Sequence, residues 1–293
     1  NKKINLFSSN VVLASGGFEG NSEMLSHYVG PQAQFIRPVS RGGHYNRGEG
    51  IQMALEAGAA SCGDFSSFHA QPVDPRSKDM EPVVLNYSYG LLINESGSRF
   101  TDEAPALVDS TYEAVTRIIM QQKNGIGFAV FDNKLDDIDN WNATVRTRVA
   151  PYQANTLEEL ASLIQIPSEE FLRTVNDFNK ACPDNQGDFD PLKPDGLKTD
   201  GLPLQKSNWS RPLTEAPYRA WPIICSNCFT FGGIKIDERA RVINTEGDVI
   251  PGLYAAGEVA GIYYRTYTGA TSVMRGAVTG RLAGNDASLR RNS

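Results

Sequence analysis

The sequence predicts an α/β domain assembled from two distant pieces of chain, with an α+β domain inserted between them. Three observations predict it. Val11-Val-Leu-Ala-Ser-Gly-Gly-Phe18 and Leu253-Tyr-Ala-Ala-Gly-Glu258 are apolar runs that stop at glycine, the pattern of strands buried in a parallel sheet. From Gly269 to Ala287, small and apolar residues recur at Val273, Ala277, Gly280 and Gly284, which predicts a helix lying close against a flat neighbour. Between these pieces, short helical and strand patterns are mixed. The α/β pieces are expected at 1–18 and 226–293 and the inserted domain at 19–225, with Val12 beside Tyr254.

Each element has its own signal. Asn21 to Val29 and Glu49 to Ala59 read as short helices, the second with Ile51, Met53, Ala54 and Leu55 on one side. Val83–Leu85 and Leu91–Ile93 read as strands around Asn86-Tyr-Ser-Tyr-Gly90. Ser110 to Gln121 carries Tyr112, Val115, Ile118 and Ile119 at amphipathic helical spacing, and Phe128–Phe131 predicts a strand. Thr156-Leu-Glu-Glu159 has the spacing of a capping box, and a helix is expected from Ser168 to Cys182. Pro183 to Pro217, rich in Pro, Gly, Asp and Asn, predicts an irregular loop that returns at Tyr218-Arg-Ala-Trp-Pro222. The last strand, Leu253 to Ala256, is opened by a Pro251-Gly252 turn.

Composition bounds the rest. The chain of 293 residues is 40% hydrophobic and 21% charged, ordinary for a globular protein. It has no apolar run of the roughly 18 residues that a membrane span needs, and Asn1-Lys-Lys-Ile-Asn5 does not lead into a signal peptide. A net charge of −6 argues against a nucleic-acid partner, so binding of an acidic substrate has to come from a local basic pocket. Cys62, Cys182, Cys225 and Cys228 are too scattered for a disulfide framework, which fits a reducing, cytoplasmic location. Cys225-Ser-Asn-Cys228 has metal or redox spacing but no second pair to complete a site, so no metal is expected.

The chemistry concentrates at the glycine-ended strands. A carboxylate at a strand's end, Glu258, can accept hydrogen bonds from ribityl or ribose hydroxyls, and the amides that open the helix at Gly269-Ala270-Thr271-Ser272 can face a developing anion. Reduced flavin develops such an anion. The candidate cofactor residues are therefore Ser15, Gly16, Gly17, Gly257, Glu258, Gly269, Ala270, Thr271 and Ser272. A strand and helix of the same design without ligand is the plainer alternative.

An ordered set of motifs decides between them. The strand Val11–Phe18, then Gly48-Glu-Gly-Ile51, then Asn94-x-x-Gly97-x-Arg99-Phe100-x-x-Glu103, then Phe231-Gly-Gly-Ile-Lys-Ile-Asp237, then the run through Glu258 resembles the flavoprotein subunits of the fumarate reductase and succinate dehydrogenase superfamily over nearly the whole chain. Within it, Arg37–Asn46 and Tyr263–Ser272 look most like the tricarballylate dehydrogenases. The resemblance implies an incomplete Rossmann-like FAD-binding domain with a substrate-capping domain. It also implies FAD as cofactor, dehydrogenation of a small polycarboxylate (tricarballylate to cis-aconitate), and a membrane-associated iron–sulfur or haem partner. The Gly-x-Gly-x-x-Gly turn that binds the dinucleotide pyrophosphate is absent from this sequence and lies upstream in the resembling family. The chain is accordingly expected to be the C-terminal portion of a longer protein, inactive and weak in FAD binding alone.

Such a reaction needs cationic clamps for carboxylates, a flavin to take hydride and a base for the proton. Arg37, Arg41 and Arg47 surround Gly42-Gly43-His44, and Arg265 lies in an aromatic run, so Arg41 and Arg265 are the clamp candidates. His44 and His69 resemble positions near the family's substrate pocket, and Tyr264 and Tyr267 are the tyrosines expected to line it. Three departures separate the chain from fumarate reductases. Their arginine proton donor has no counterpart in Ala104–Val108, their histidine before the Gly-Gly-Ile strand is replaced by Cys228-Phe229, and their Asn-Arg-Leu-Gly-Gly run by Thr266-Tyr267-Thr268-Gly269-Ala270. The alternatives are a fumarate reductase-like, succinate dehydrogenase-like or ketosteroid dehydrogenase-like flavoenzyme, or an inactive fragment lacking FAD.

Overall fold

A computed structural model describes residues 4–184 and 189–290. In chain order the strands are β1 (Val11–Leu13), β2 (Arg37–Pro38), β3 (Ser61–Cys62), β4 (Phe68–Val73), β5 (Leu91–Ile93), β6 (Ile126–Phe131), β7 (Tyr152–Ala154), β8 (Tyr218–Thr230), β9 (Gly233–Ile234), β10 (Arg241–Ile243) and β11 (Val249–Ala255). The α-helices are α1 (Ser22–Val29), α2 (Glu49–Glu56), α3 (Val108–Met120), α4 (Leu157–Leu163), α5 (Ser168–Ala181) and α6 (Thr271–Leu289). The chain divides into two units. Unit 1 takes the described residues up to Gln34, Arg41–His69, and those from Asn227 on; unit 2 takes Phe35–Ser40 and the described residues of Ala70–Ser226. The sequence boundaries 1–18, 19–225 and 226–293 differ from these, because 19–34 and 41–69 belong with unit 1. Residues 1–3, 185–188 and 291–293 of the expected spans lie outside the described residues.

Unit 1 joins distant pieces of chain. β1 pairs in parallel with β11, Val12 opposite Tyr254 as expected, and β10 closes the other side antiparallel. α6 lies on this sheet through Arg275, Thr279 and Ala283, one buried residue per turn. That corrects the sequence reading of its face. The stripe Val273, Ala277, Gly280 and Gly284 is not the packed one: Val273 is 79% exposed, and a side chain at Gly280 or Gly284 would meet nothing within 4 Å. The close approach is instead at Gly276, whose side chain would begin 4.0 Å from the Gly257 Cα. β1 is also less buried than its apolar sequence suggests, with Val11 and Val12 exposed by 47% and 43%. Pro251-Gly252 forms no turn; both residues lie within β11, Gly252 at φ +80°.

Unit 2 is a sheet covered on both faces. β6 lies antiparallel between β5 and β8, with Leu91 opposite Val130 and Ala129 opposite Trp221. Alternate residues point to opposite faces of a strand. Leu91, Ile93, Phe128 and Val130 therefore meet Leu160 of α4 and Phe171 and Val175 of α5, while Leu92, Ala129, Phe131, Trp221 and Ile223 meet Val115 and Ile119 of α3. Both faces buried means no polar alternation, which is why the strands appear as plain apolar runs. Capping is as expected at α4, where the Thr156 hydroxyl accepts from the Glu159 N–H at 3.2 Å and Glu159 accepts from the Asn155 N–H. At α1 the Asn21 side chain accepts from Glu23 and Met24 N–H at 3.1 Å each. Val83–Leu85 makes only isolated bridges, from Val83 to Val73 and from Val84 to Val145, and is no strand.

The family motifs turn out to hold the fold. Arg99 grips Glu103 with both ends of its guanidinium, at 2.9 and 2.7 Å, and Glu103 also accepts from the Leu92 N–H at 3.0 Å. Asn94 accepts from Ser96 and Ser98 N–H around Gly97, which sits at φ +84° in a turn only glycine adopts freely. Cys225 and Cys228, three apart in the extended β8, project to opposite faces of the strand, and no disulfide joins any of the four cysteines.

Candidate functional site

Polar groups converge inside unit 1, where the ends of β1 and β11 meet. After β1 the chain passes Gly16 at φ +81°, and after β11 it passes Gly257 at φ +71°. The Gly257 N–H donates to the Thr279 hydroxyl at 3.0 Å, which ties the end of β11 to α6. Glu258 follows. Its Oε1 accepts from the Thr230 N–H at 2.6 Å and from the Thr230 hydroxyl at 3.2 Å, and that hydroxyl in turn accepts from the Phe18 N–H at 3.2 Å. A side chain at Gly17 would begin 2.1 Å from both Glu258 Oε1 and Thr230 Oγ1. Glycine is therefore required for the carboxylate to lie against the β1 connection.

Glu19 completes the cluster from the same connection. It is 4% exposed, accepts from Asn46 Nδ2 at 2.6 Å through Oε1, and its Oε2 is buried without a hydrogen-bond partner. Burial, reinforced by the charge of Glu258, raises the Glu19 carboxyl to about 8. Burial also raises Glu258, against the pull of the Thr230 N–H and of Arg275. Arg275 is buried on α6, its Nη1 reaching Ala260 O at 3.5 Å and its Nε left unpaired. Its guanidinium lies 4.7 Å from the Tyr263 ring and 5.3 Å from the Phe229 ring, a cation over aromatic faces. Burial lowers its pKa, and Glu258 partly offsets this.

An aromatic cluster borders these groups. The His69 ring lies 4.4 Å from Tyr267 and 5.1 Å from Phe229. Phe229 and Tyr267 meet edge to face at 5.0 Å, and Tyr263 packs on both. The tyrosine hydroxyls are used at the start of α6. Tyr263 OH pairs with Thr271 Oγ1 at 2.8 Å, while Tyr267 OH pairs with Ser272 Oγ at 3.1 Å and accepts from the Ser272 N–H at 3.3 Å.

Gly16, Gly17, Gly257 and Glu258 are thus brought together, and His69 meets Tyr267. The helix start differs from the expectation. The Thr271 amide is already held by Thr268 O and the Ser272 amide by Tyr267, so these two are not open donors. Gly269 stands in open space and Ala270 precedes the helix at φ +62°. Ser15 is exposed, its hydroxyl lying over Gly50. Arg41 and His44 lie on an exposed 3-10 turn, Arg265 is exposed at φ +62°, and Arg37 belongs to unit 2, where it donates to the carbonyls of Asp74 and Pro75. Tyr264 points away from the cluster to Cys62 Sγ at 3.0 Å and is 59% exposed; the tyrosine inside is Tyr263. Sequence reading missed Glu19, Asn46, Thr230 and Arg275. The one visible signal was Arg275, four residues before Thr279 and eight before Ala283 on a helix of mostly small residues.

Comparison with known proteins follows the same lines. The family described as "FAD binding domain" matches residues 2–273. The chain is 31% identical over 287 residues to the NADH:acrylate oxidoreductase of Vibrio harveyi, covering 95% of this chain and 26% of that protein. It is 25% identical to the vinyl phenol reductase of Lactiplantibacillus plantarum, covering 88% of this chain and 55% of the relative. Among solved structures, the open conformation of a flavocytochrome c3 fumarate reductase superposes with a TM-score of 0.75 at 25% identity, over 95% of this chain and 46% of the other. The chain thus spans from about a quarter to about half the length of these relatives.

Proposed function

Because the chain belongs to the FAD-binding-domain family of the fumarate reductase and succinate dehydrogenase flavoproteins, we propose that it forms the C-terminal part of an FAD-dependent enzyme exchanging hydride with a carbon–carbon double bond that carries an aromatic or extended apolar group. One observation carries the substrate class. Phe229 and Tyr267, which lie in the two runs that depart from the fumarate reductase pattern, are far apart in sequence yet pack ring to ring at 5.0 Å beside His69. The two departures form one surface. An aromatic surface suits a conjugated olefin better than a small polycarboxylate, whose charges need bidentate arginines.

The residues present fit the cofactor. Glu258, fixed by Thr230, would accept from ribityl or ribose hydroxyls, Gly17 leaves the approach clear, and the unpaired Nε of buried Arg275 offers a donor. FAD, when bound, supplies the hydride acceptor or donor. Tyr267 and His69 would position the olefin. The tricarballylate reading drawn from Arg37–Asn46 and Tyr263–Ser272 loses its support with the exposed Arg41 and Arg265, and none of the three relatives above is named for that acid. Electrons would come from a separate redox partner; two of the relatives are named for NADH and for a flavocytochrome.

The test is anaerobic reoxidation of the dithionite-reduced full-length enzyme by 4-vinylphenol, acrylate and fumarate, with tricarballylate and a 3-ketosteroid offered to the oxidised form. The aromatic olefin is expected to react fastest, and the double substitution Phe229→His with Tyr267→Arg to shift preference toward fumarate. Fastest reoxidation by fumarate, or fastest reduction by tricarballylate, in the unaltered protein overturns the proposal.

A further inference from the structure

Two buried carboxyl groups face one another in unit 1, and only one has an adequate set of donors. Glu258 is held by Thr230. Glu19 reaches it within hydrogen-bonding range, yet Glu19 Oε2 has no donor of its own and no water access. A buried ionised oxygen without a donor is heavily disfavoured, and two ionised carboxyls side by side repel. A proton on Glu19 removes both difficulties, turning an orphan acceptor into a donor aimed at the Glu258 carboxylate.

We propose that Glu19 and Glu258 hold one proton between them, that Glu19 is the positioning residue that keeps Glu258 in place with a single negative charge, and that this proton is required for tight flavin binding. The last part rests on the FAD reading above. The groups facing the pair are Asn46 from the segment before α2, Thr230 from the end of β8, and Arg275 from α6, a cation that acts on Glu258. With one proton shared, the pair carries −1 against the +1 of Arg275; without it, the cluster carries a net negative charge beside the cofactor. The raised value of Glu19, about 8, keeps the proton in place at neutral pH.

The sign of the pH effect follows. FAD affinity should be constant below about pH 8 and weaken roughly tenfold per pH unit above it, since each cofactor-free molecule must then regain a proton to bind. In Glu19→Gln the amide replaces the shared proton, so affinity stays level across pH 6 to 9.5. Infrared spectra of the cofactor-free protein read the proton directly. A protonated-carboxyl band at pH 7, lost with a midpoint near 8 and missing from Glu19→Gln, is the expected result, and Glu258→Gln serves as a second variant should the first not fold. No such band at pH 7, or the same band in both variants, overturns the shared proton. A titrating band with FAD affinity that does not change above pH 8 overturns its role in binding. A titrating band with no FAD bound at any pH by the full-length enzyme overturns the FAD reading itself and leaves the carboxyl pair standing.

Discussion

The two units use similar apolar strands to different ends. In unit 2, Leu91–Ile93 and Gly127–Phe131 are buried without exception, because α4 and α5 cover one face of the sheet and α3 the other. In unit 1 the equally apolar Val11 and Val12 stand about half exposed, and α6 turns Val273, Met274 and Val278 outward. An apolar run says that a strand favours burial, and nothing about whether the chain supplies the cover. Unit 2 pairs buried charges with one another, as in the Arg99–Glu103 pair, although Asn86 and Trp221 Nε1 are also buried there without hydrogen-bond partners. Unit 1 leaves Glu19 Oε2 and Arg275 Nε buried and unpaired at its candidate site. Unpaired buried groups of this kind destabilise unless something binds them.

That contrast can be broken or sharpened by substitution. The largest effect is expected from Phe171→Ala in unit 2, fully buried among Leu91, Phe128 and Val175, which should cost about 3–5 kcal/mol in urea unfolding. Val11→Ala in unit 1 should cost less than about 0.5 kcal/mol, as for other surface changes; equal losses would end the contrast. Next comes Gly17→Ala, whose new methyl would sit 2.1 Å from Glu258 Oε1 and Thr230 Oγ1. A loss of about 1–3 kcal/mol from overpacking is expected, with FAD binding reduced at least tenfold in fluorescence titration. A gain is expected on α6: Gly280→Ala meets open space and should stabilise the helix by about 0.5–1 kcal/mol in thermal unfolding.

Where local chemistry decides structure, the sequence was readable. Thr156 and Asn21 announce their helices, and the glycine-ended runs announce the β1–β11 pairing. The thirteen-residue β8 was not foreseen, since Pro222 and the Cys-Ser-Asn-Cys stretch break any strand pattern and burial on both faces removes the alternation. The phase of α6 was misread for a related reason. With Arg275, Thr279 and Ala283 inward, polarity pointed to the wrong face, because the helix packs by small size and hydrogen bonds instead of by greasy contact. At the site, Glu258 and the glycines were legible as a strand-end carboxylate with room before it. Glu19 was not, because its significance lies entirely in standing opposite Glu258, and that pairing is a long-range property.

The packing of unit 2 gives the molecule a built-in optical label. Trp221 rests edge-on against Phe131 at 5.7 Å and near Trp141 at 5.9 Å, while Trp209 is buried beside Tyr89 at 5.7 Å. These are the three tryptophans of the sequence, and all belong to unit 2. Indole emission will therefore report the melting of unit 2 alone. Unit 1, whose aromatic reporters are tyrosine and phenylalanine, will stay dark at that wavelength. A single tryptophan introduced at Val273, on the exposed side of α6, would give it a colour of its own.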